Sequence, residues 1–244
     1  MIDEVQNIEG WENSVRSYRT EDKTDIIITG SNSKMLLGEL STLLAGRYIE
    51  IHIQSLSYTE FMEFHNLSDS DETLWKYPSY GGLPGLKTIG IDNYDMIGEY
   101  MSGVFNTIML KDIIERHKIR NTVFLNNLIA FLADTIGKLN SATSIAKYMK
   151  SLGEEISTKV VVDYTSYYNE AFLTNSVPRY DIHGKKLLEV TGKTYFSDIG
   201  LRNYIIGGKR GYVISATPLI RASDYEGITH LSLRKFLVDG SGER

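Results

Sequence analysis

Short apolar runs and helical stripes alternate along the first part of this chain and give way to helical stripes alone further on. Asp25–Thr29 carries Ile26, Ile27 and Ile28 in succession and stops at Gly30, the pattern of a strand buried on both faces of a parallel sheet. Ile49, Ile51 and Ile53 alternate with Glu50, His52 and Gln54, which predicts a strand covered on one face only. Trp11, Val15 and Tyr18 recur at helical spacing, and Ser57-Tyr58-Thr59-Glu60 reads as a capping box that opens a helix through Phe61 and Phe64. Strands and helices alternating over the first ninety residues predict α/β architecture.

From about Asp92 the period changes. Ile97, Met101, Val104, Phe105 and Ile108 form one apolar stripe at helical spacing, and Phe124, Leu128, Phe131, Leu132 and Ile136 form another that stops at Gly137. Ser141 opens a shorter helix through Ile145, Ala146, Met149 and Leu152, and Ser157 caps one with Val161, Tyr164, Tyr168 and Phe172 inside. Leu173–Val177, Leu187–Thr191 and Thr194–Ser197 then read as strands. Three helices followed by a hairpin predict a winged helix. Gly207–Gly211 reads as a joint, followed by a strand at Tyr212–Ser215 and a helix around Leu231–Phe236.

Composition narrows the function classes. With 244 residues, 42% hydrophobic and 23% charged, the chain suits one large domain or two small ones. A net charge of −5 gives no chain-wide attraction to nucleic acid or anionic lipid. The absence of cysteine removes disulfides and thiol chemistry and fits a reducing cytoplasm. No apolar stretch is long enough to span a bilayer.

The residues that suggest chemistry sit at strand ends. Asp3-Glu4 follows Ile2, and an acidic dipeptide at the tip of a buried strand is how P-loop ATPases hold Mg²⁺ and orient water. Alone, such a pair is usually just two solvated charges. About one α/β unit later Ile26–Ile28 ends in Thr29-Gly30-Ser31-Asn32, and strand ends in an open α/β sheet face one crevice. Ser31-Asn32 is otherwise an ordinary turn. Arg47, in Ala45-Gly46-Arg47-Tyr48, supplies a guanidinium suited to phosphate, or else a surface ion pair.

Taken in order, these motifs carry a resemblance. Ile2-Asp3-Glu4-Val5-Gln6-Asn7, Ile28-Thr29-Gly30-Ser31-Asn32-Ser33, Leu44-Ala45-Gly46-Arg47-Tyr48, Leu56–Phe61 and Tyr80-Gly81-Gly82-Leu83-Pro84 resemble the prokaryotic AAA-family ATP-binding proteins that carry a C-terminal domain of unknown function. The likeness continues through Lys111-Asp112-Ile113, Arg116 and Asn121 to Tyr195–Arg202, nearly to Gly207. It implies a P-loop ATPase part with an AAA/RecA-like parallel sheet at residues 1–90, a helical connector at 91–120, a mainly helical winged-helix module at 121–206 and a remnant α/β tail of a nuclease-like fold at 207–244. It also implies ATP and Mg²⁺ as ligands, Asp3 as the Mg²⁺-associated Walker B aspartate, Glu4 as the water-activating glutamate, Ser31 and Asn32 as polar contacts to the nucleotide with Asn32 the sensor, and Arg47 as a phosphate-facing or trans-acting arginine. Family members begin with a strand and a glycine-rich loop ending in Gly-Lys-Ser/Thr, and no such loop precedes Asp3 in these residues. The expectation is therefore a fragment, active as a nucleotide-dependent switch only in its longer parent.

The rival reading is a binding module with the ATPase part as scaffold. A winged helix invites DNA, with the helix from Thr158 as reader and Lys159 at its exposed start. Over Ser141–Asp198, however, seven Lys or Arg balance seven Asp or Glu, giving 7 − 7 = 0 and leaving a protein partner open. The run Lys111, Arg116, Lys118 and Arg120 includes Asp112 and Glu115 and reads as a solvated helix face. Tyr164, Tyr167 and Tyr168 read mainly as packing, and the five histidines lack ligand spacing. Oligomerisation remains open.

Overall fold

The computed structural model describes residues 1–5, 8–20, 25–31, 48–181 and 186–207. The described part is mixed α/β, mainly helical, with one three-stranded antiparallel sheet. The chain divides into two compact units, Met1–Ile53 with Asn106–Ser197, and Gln54–Phe105 with the chain from Asp198 onward. The predicted Asn32 and Arg47, most of the Gly207–Gly211 joint, and the tail strand and helix lie outside the described residues.

In the first unit, α1 (Trp11–Thr20) buries Trp11 and Val15 with Val5, and Ile2, Ile26, Ile28 and Tyr48 pack against them. Ile2 and Ile28 pair in parallel. The expected two-sided burial of Ile26–Ile28 is not met: Ile27 is 61% exposed, because side chains alternate and α1 covers one side only. Ile49–Ile53 is not a strand, and Ile49, Ile51 and Ile53 are exposed, since no described edge pairs with that segment.

A helix, α5 in chain order (Tyr94–Thr107), runs directly into a π-helical stretch, Ile108–Glu115, that buries Met109 and Ile113. Asn121 then caps α6 (Thr122–Asp134), whose Phe124, Leu125, Leu128, Ile129 and Leu132 are buried. After β1 (Leu139–Asn140), a Ser141–Ser144 capping box opens α7 (Ala142–Ser151), and Ser157 caps α8 (Thr158–Glu170). Tyr168 is fully buried and donates its hydroxyl to the Leu125 carbonyl, fastening α8 to α6. The three short strands expected between residues 173 and 197 are two longer ones, β2 (Thr174–Asp181) and β3 (Lys186–Phe196), in sheet order β1-β3-β2. The register jumps between Pro178, opposite Gly192, and Arg179, opposite Leu188. Proline has no N–H to give a ladder, so the extra residues of β3 bulge there.

The second unit contains α2 (Tyr58–His65), α3 (Asp71–Tyr80), α4 (Leu86–Ile89), most of α5 and α9 (Ile199–Ile205). The Ser57–Glu60 capping box forms as predicted. Tyr77 donates to the Leu56 carbonyl at 2.8 Å, and burial, followed by the Asp198 and Glu60 carboxylates, pushes its hydroxyl up to about 12. No helix among the described residues is long and apolar enough to cross a membrane.

Candidate functional site

The pairing of Ile2 with Ile28 carries two side-chain clusters past its end. Ile2 N–H donates to Ile27 O at 2.9 Å, Thr29 N–H to Ile2 O at 3.0 Å and Val5 N–H to Thr29 O at 3.1 Å. This ladder sets Asp3-Glu4 beside Thr29. The Thr29 hydroxyl donates to Asp3 Oδ1 and accepts the Glu4 N–H at 3.2 Å. Glu4 sits at φ 49°, a left-handed conformation that glutamate seldom adopts and that clusters at functional sites.

Ser31 extends the cluster. Its Oγ lies 3.4 Å from Glu4 Oε2 and 3.1 Å from Asp112 Oδ1, and Asp112 in turn holds Arg116 at 3.4 Å. Asp112 and Arg116 belong to the run read from sequence as a solvated face, yet their side chains are only 16% and 27% exposed. The missed signal was the opposite-charge pair at i, i+4 within an apolar helix, since the sequence has no way to say that Ser31 approaches it. Of the residues singled out from sequence, Asp3, Glu4 and Ser31 are therefore together. Lys159 is exposed on α8 and takes no part in this cluster.

The donor set is all oxygen, as Mg²⁺ requires. Among the described residues no three acidic or histidine side chains converge tightly enough to hold a metal by themselves. Mg²⁺ is ordinarily carried by one or two carboxylates plus nucleotide phosphates and water, and Asp3 with Glu4 fits that share of the ligation.

A second carboxylate is buried in the other unit. Asp198 caps α9 through Leu201 N–H at 3.0 Å and accepts Gly82 N–H at 2.8 Å. Burial raises its pKa, opposed by hydrogen bonds from the Gly82, Leu201 and Gly200 backbones and the Ser55 side chain. Any Cβ on Gly81 would strike Asp198, and one on Gly200 would strike the Tyr80 carbonyl. The Tyr80–Pro84 motif and the Asp198–Arg202 end of the second motif meet here, and the Asp198 bonds to Gly82 and Leu201 make the arrangement a clamp.

Two family models match this chain. Residues 1–62 match an AAA domain, and residues 71–210 match a domain of unknown function, DUF8612. An uncharacterized protein of Haemophilus influenzae is 37% identical over 213 residues, 86% of this chain and 52% of that protein. An uncharacterized protein of Methanocaldococcus jannaschii is 30% identical over 185 residues, 70% of this chain and 41% of that one. The chain thus spans about half or less of the length of these relatives. Because the second match covers more than half of the chain, the protein belongs to the DUF8612 family, with an AAA-like stretch preceding that domain.

Proposed function

We propose that residues 1–90 are the C-terminal part of a P-loop ATPase domain with an AAA/RecA-like parallel sheet. A connector at 91–120 joins it to a winged-helix module at 121–206, followed by a remnant tail at 207–244. One observation carries the ATPase reading: the parallel pairing of Ile2 with Ile28 brings Asp3 and Glu4 against Thr29 and Ser31, beyond the carboxyl ends of both segments. The AAA match over residues 1–62 supports it. The winged-helix reading is supported by the succession α6, β1, α7, α8, β2, β3 and the sheet order β1-β3-β2.

In a longer parent protein, Mg·ATP would supply the phosphoryl group for transfer to water. Asp3 would share its Mg²⁺ through Oδ atoms, and Glu4 would accept a proton from the attacking water at Oε. Ser31 and Asn32 would meet the nucleotide, and Arg47 would face phosphate or act in trans. Arg116, now held by Asp112 beside Ser31, supplies a further guanidinium of the kind that neutralises phosphate charge. Occupancy of such a site would bias the module that follows, a nucleotide-dependent switch. No Gly-x-x-x-x-Gly-Lys-Ser/Thr loop occurs within these residues, and the tripeptide Gly192-Lys193-Thr194 lies inside β3 instead of between a strand and a helix. This chain alone would therefore not turn over ATP.

Supplying the phosphate-loop half of an AAA domain, in cis or as a separate polypeptide, tests the reading. Calorimetry should then register magnesium-dependent ATP binding, retained by Glu4→Gln while hydrolysis disappears. Full hydrolysis by Glu4→Gln would overturn the assignment.

A further inference from the structure

Counted along the sequence, residues 141–198 are electrically neutral, but the fold sorts their charges. Asp198 is buried in the clamp of the other unit. Glu170 is buried, accepts from Ser166 at 2.9 Å and lies 3.5 Å from the His117 ring nitrogen. Glu154 accepts from Asn127 at 3.2 Å. Lys147, Lys150, Lys159, Arg179 and Lys193 are all exposed, and among the described residues none of them forms an ion pair. Glu155 is exposed and Glu154 and Asp163 are half-buried, Asp163 one turn along α8 from Lys159. Five exposed cations therefore stand against three acids not buried, and the described surface of this module is more cationic than its sequence balance.

One of those cations, Lys193, lines a groove, and Lys159 and Arg179 each directly follow a lining residue in sequence. An open groove of about 480 Å³ lies between the start of α7, one face of α8 and the β2–β3 hairpin, wholly within the first unit. Ten of its nineteen lining residues are Ser, Thr or Asn, one is Lys193, and none is acidic. Lys159 adjoins the lining residue Thr158, and Arg179 adjoins the lining residue Pro178. Along α8 the lining positions Thr158, Val162, Thr165, Ser166 and Asn169 make one helical stripe. Its side chains are short, so a bulky ligand can come close to the helix.

We infer that this groove seats the phosphodiester backbone of duplex DNA, with Lys193 inside it and Lys159 and Arg179 at its rim. Cations and exposed hydroxyls such as those of Thr143 and Thr158 are groups that hold phosphate oxygens, whereas the Ser166 and Thr165 hydroxyls and the Asn140 and Asn169 amides already bond within the protein. B-form DNA suits such a module because its major groove admits a helix, whereas the A-form major groove is too narrow. The inference deepens the winged-helix reading and is independent of the ATPase reading.

Fluorescence anisotropy of a labelled duplex with this chain, without nucleotide, at about 50 mM salt tests it. Saturable binding is expected to weaken about tenfold in Lys159→Ala/Lys193→Ala, with the salt slope reduced by about 2, one for each phosphate contact. Thr143→Glu, at an exposed groove position, should weaken binding as well. Lys147→Ala/Lys150→Ala removes equal charge from α7 outside the groove and should cost less than threefold. No saturable binding, an unaffected Lys159/Lys193 variant, or equal losses from the two double variants would each overturn the groove assignment. Amide exchange of the unbound protein separates this from failure of the winged-helix reading itself, which would appear as missing protection along β2–β3.

Discussion

Ser31 has one hydroxyl proton and two carboxylate oxygens in reach, on Asp112 and on Glu4. It can donate to only one at a time, and Asp112 is also held by Arg116. Thr29 is fully engaged by comparison, donating to Asp3 and accepting from the Glu4 N–H. Replacing it by the isosteric valine removes both links; Thr29→Val should speed amide exchange at Glu4 about fivefold, corresponding to roughly 1 kcal/mol. Unchanged exchange would mean that Glu4 keeps its left-handed backbone without that support. Asp198 allows a test against pH. Its folded pKa lies above the ordinary 3.8, so its favourable contribution is complete below that value and is lost as pH rises through the folded pKa. Asp198→Asn keeps the shape but turns an amide group toward backbone N–H donors, and should cost about 1–3 kcal/mol at neutral pH. Urea unfolding across pH should show wild type gaining on the variant as the solution is acidified toward 3.8.

At the scale of elements, close backbone approach is what only glycine allows. α9 reaches the end of α3 because Gly200 has no side chain to meet the Tyr80 carbonyl. Gly200→Ala should destabilise by about 1–3 kcal/mol. Gly98, in the middle of α5 with open space where a methyl group would project, should behave oppositely, gaining about 0.5–1 kcal/mol as alanine from helix propensity. Thermal unfolding of the two variants gives the contrast, and a stable Gly200→Ala protein would mean that the clamp yields easily. The bond from Tyr168 to the Leu125 carbonyl joins α8 to α6. Tyr168→Phe removes that bond while the carbonyl keeps its helical donor, and should cost about 0.5–1.5 kcal/mol in the same measurement.

For the molecule as a whole, these residues bring acidic groups but no glycine-rich phosphate loop to a polyanion. Titration calorimetry of this chain should therefore show no saturable Mg·ATP binding near micromolar concentrations, because phosphate is normally held by loop amides and a lysine. Tight magnesium-dependent binding would overturn that expectation. Exposed apolar side chains act at the same scale. In the first unit Ile27 is 61% exposed, and Ile49, Ile51 and Ile53 are 79% exposed or more; apolar surface of this kind favours association. Light scattering should find concentration-dependent self-association that Ile49→Lys/Ile51→Lys diminishes.

What sequence determined by itself was local. Capping serines and apolar stripes located α2, α6, α7 and α8, because a cap hydrogen-bonds within three residues and a stripe repeats every turn. The Ile26–Ile28 run and the acidic pair beside it were legible as neighbours through the α/β pattern, whereas Ile49–Ile53 alternates without pairing to any described edge and forms no strand. Tertiary structure decided the contacts that span the chain: Asp112 reaches Ser31 across 81 residues, and Asp198 reaches Gly82 across 116. It also decided which charges remain on the surface, burying Glu170 and Asp198 while leaving Lys159, Arg179 and Lys193 exposed. Sequence sets how many charges a segment has, but only packing decides which of them meet solvent, since burial and hydrogen bonding depend on partners far along the chain.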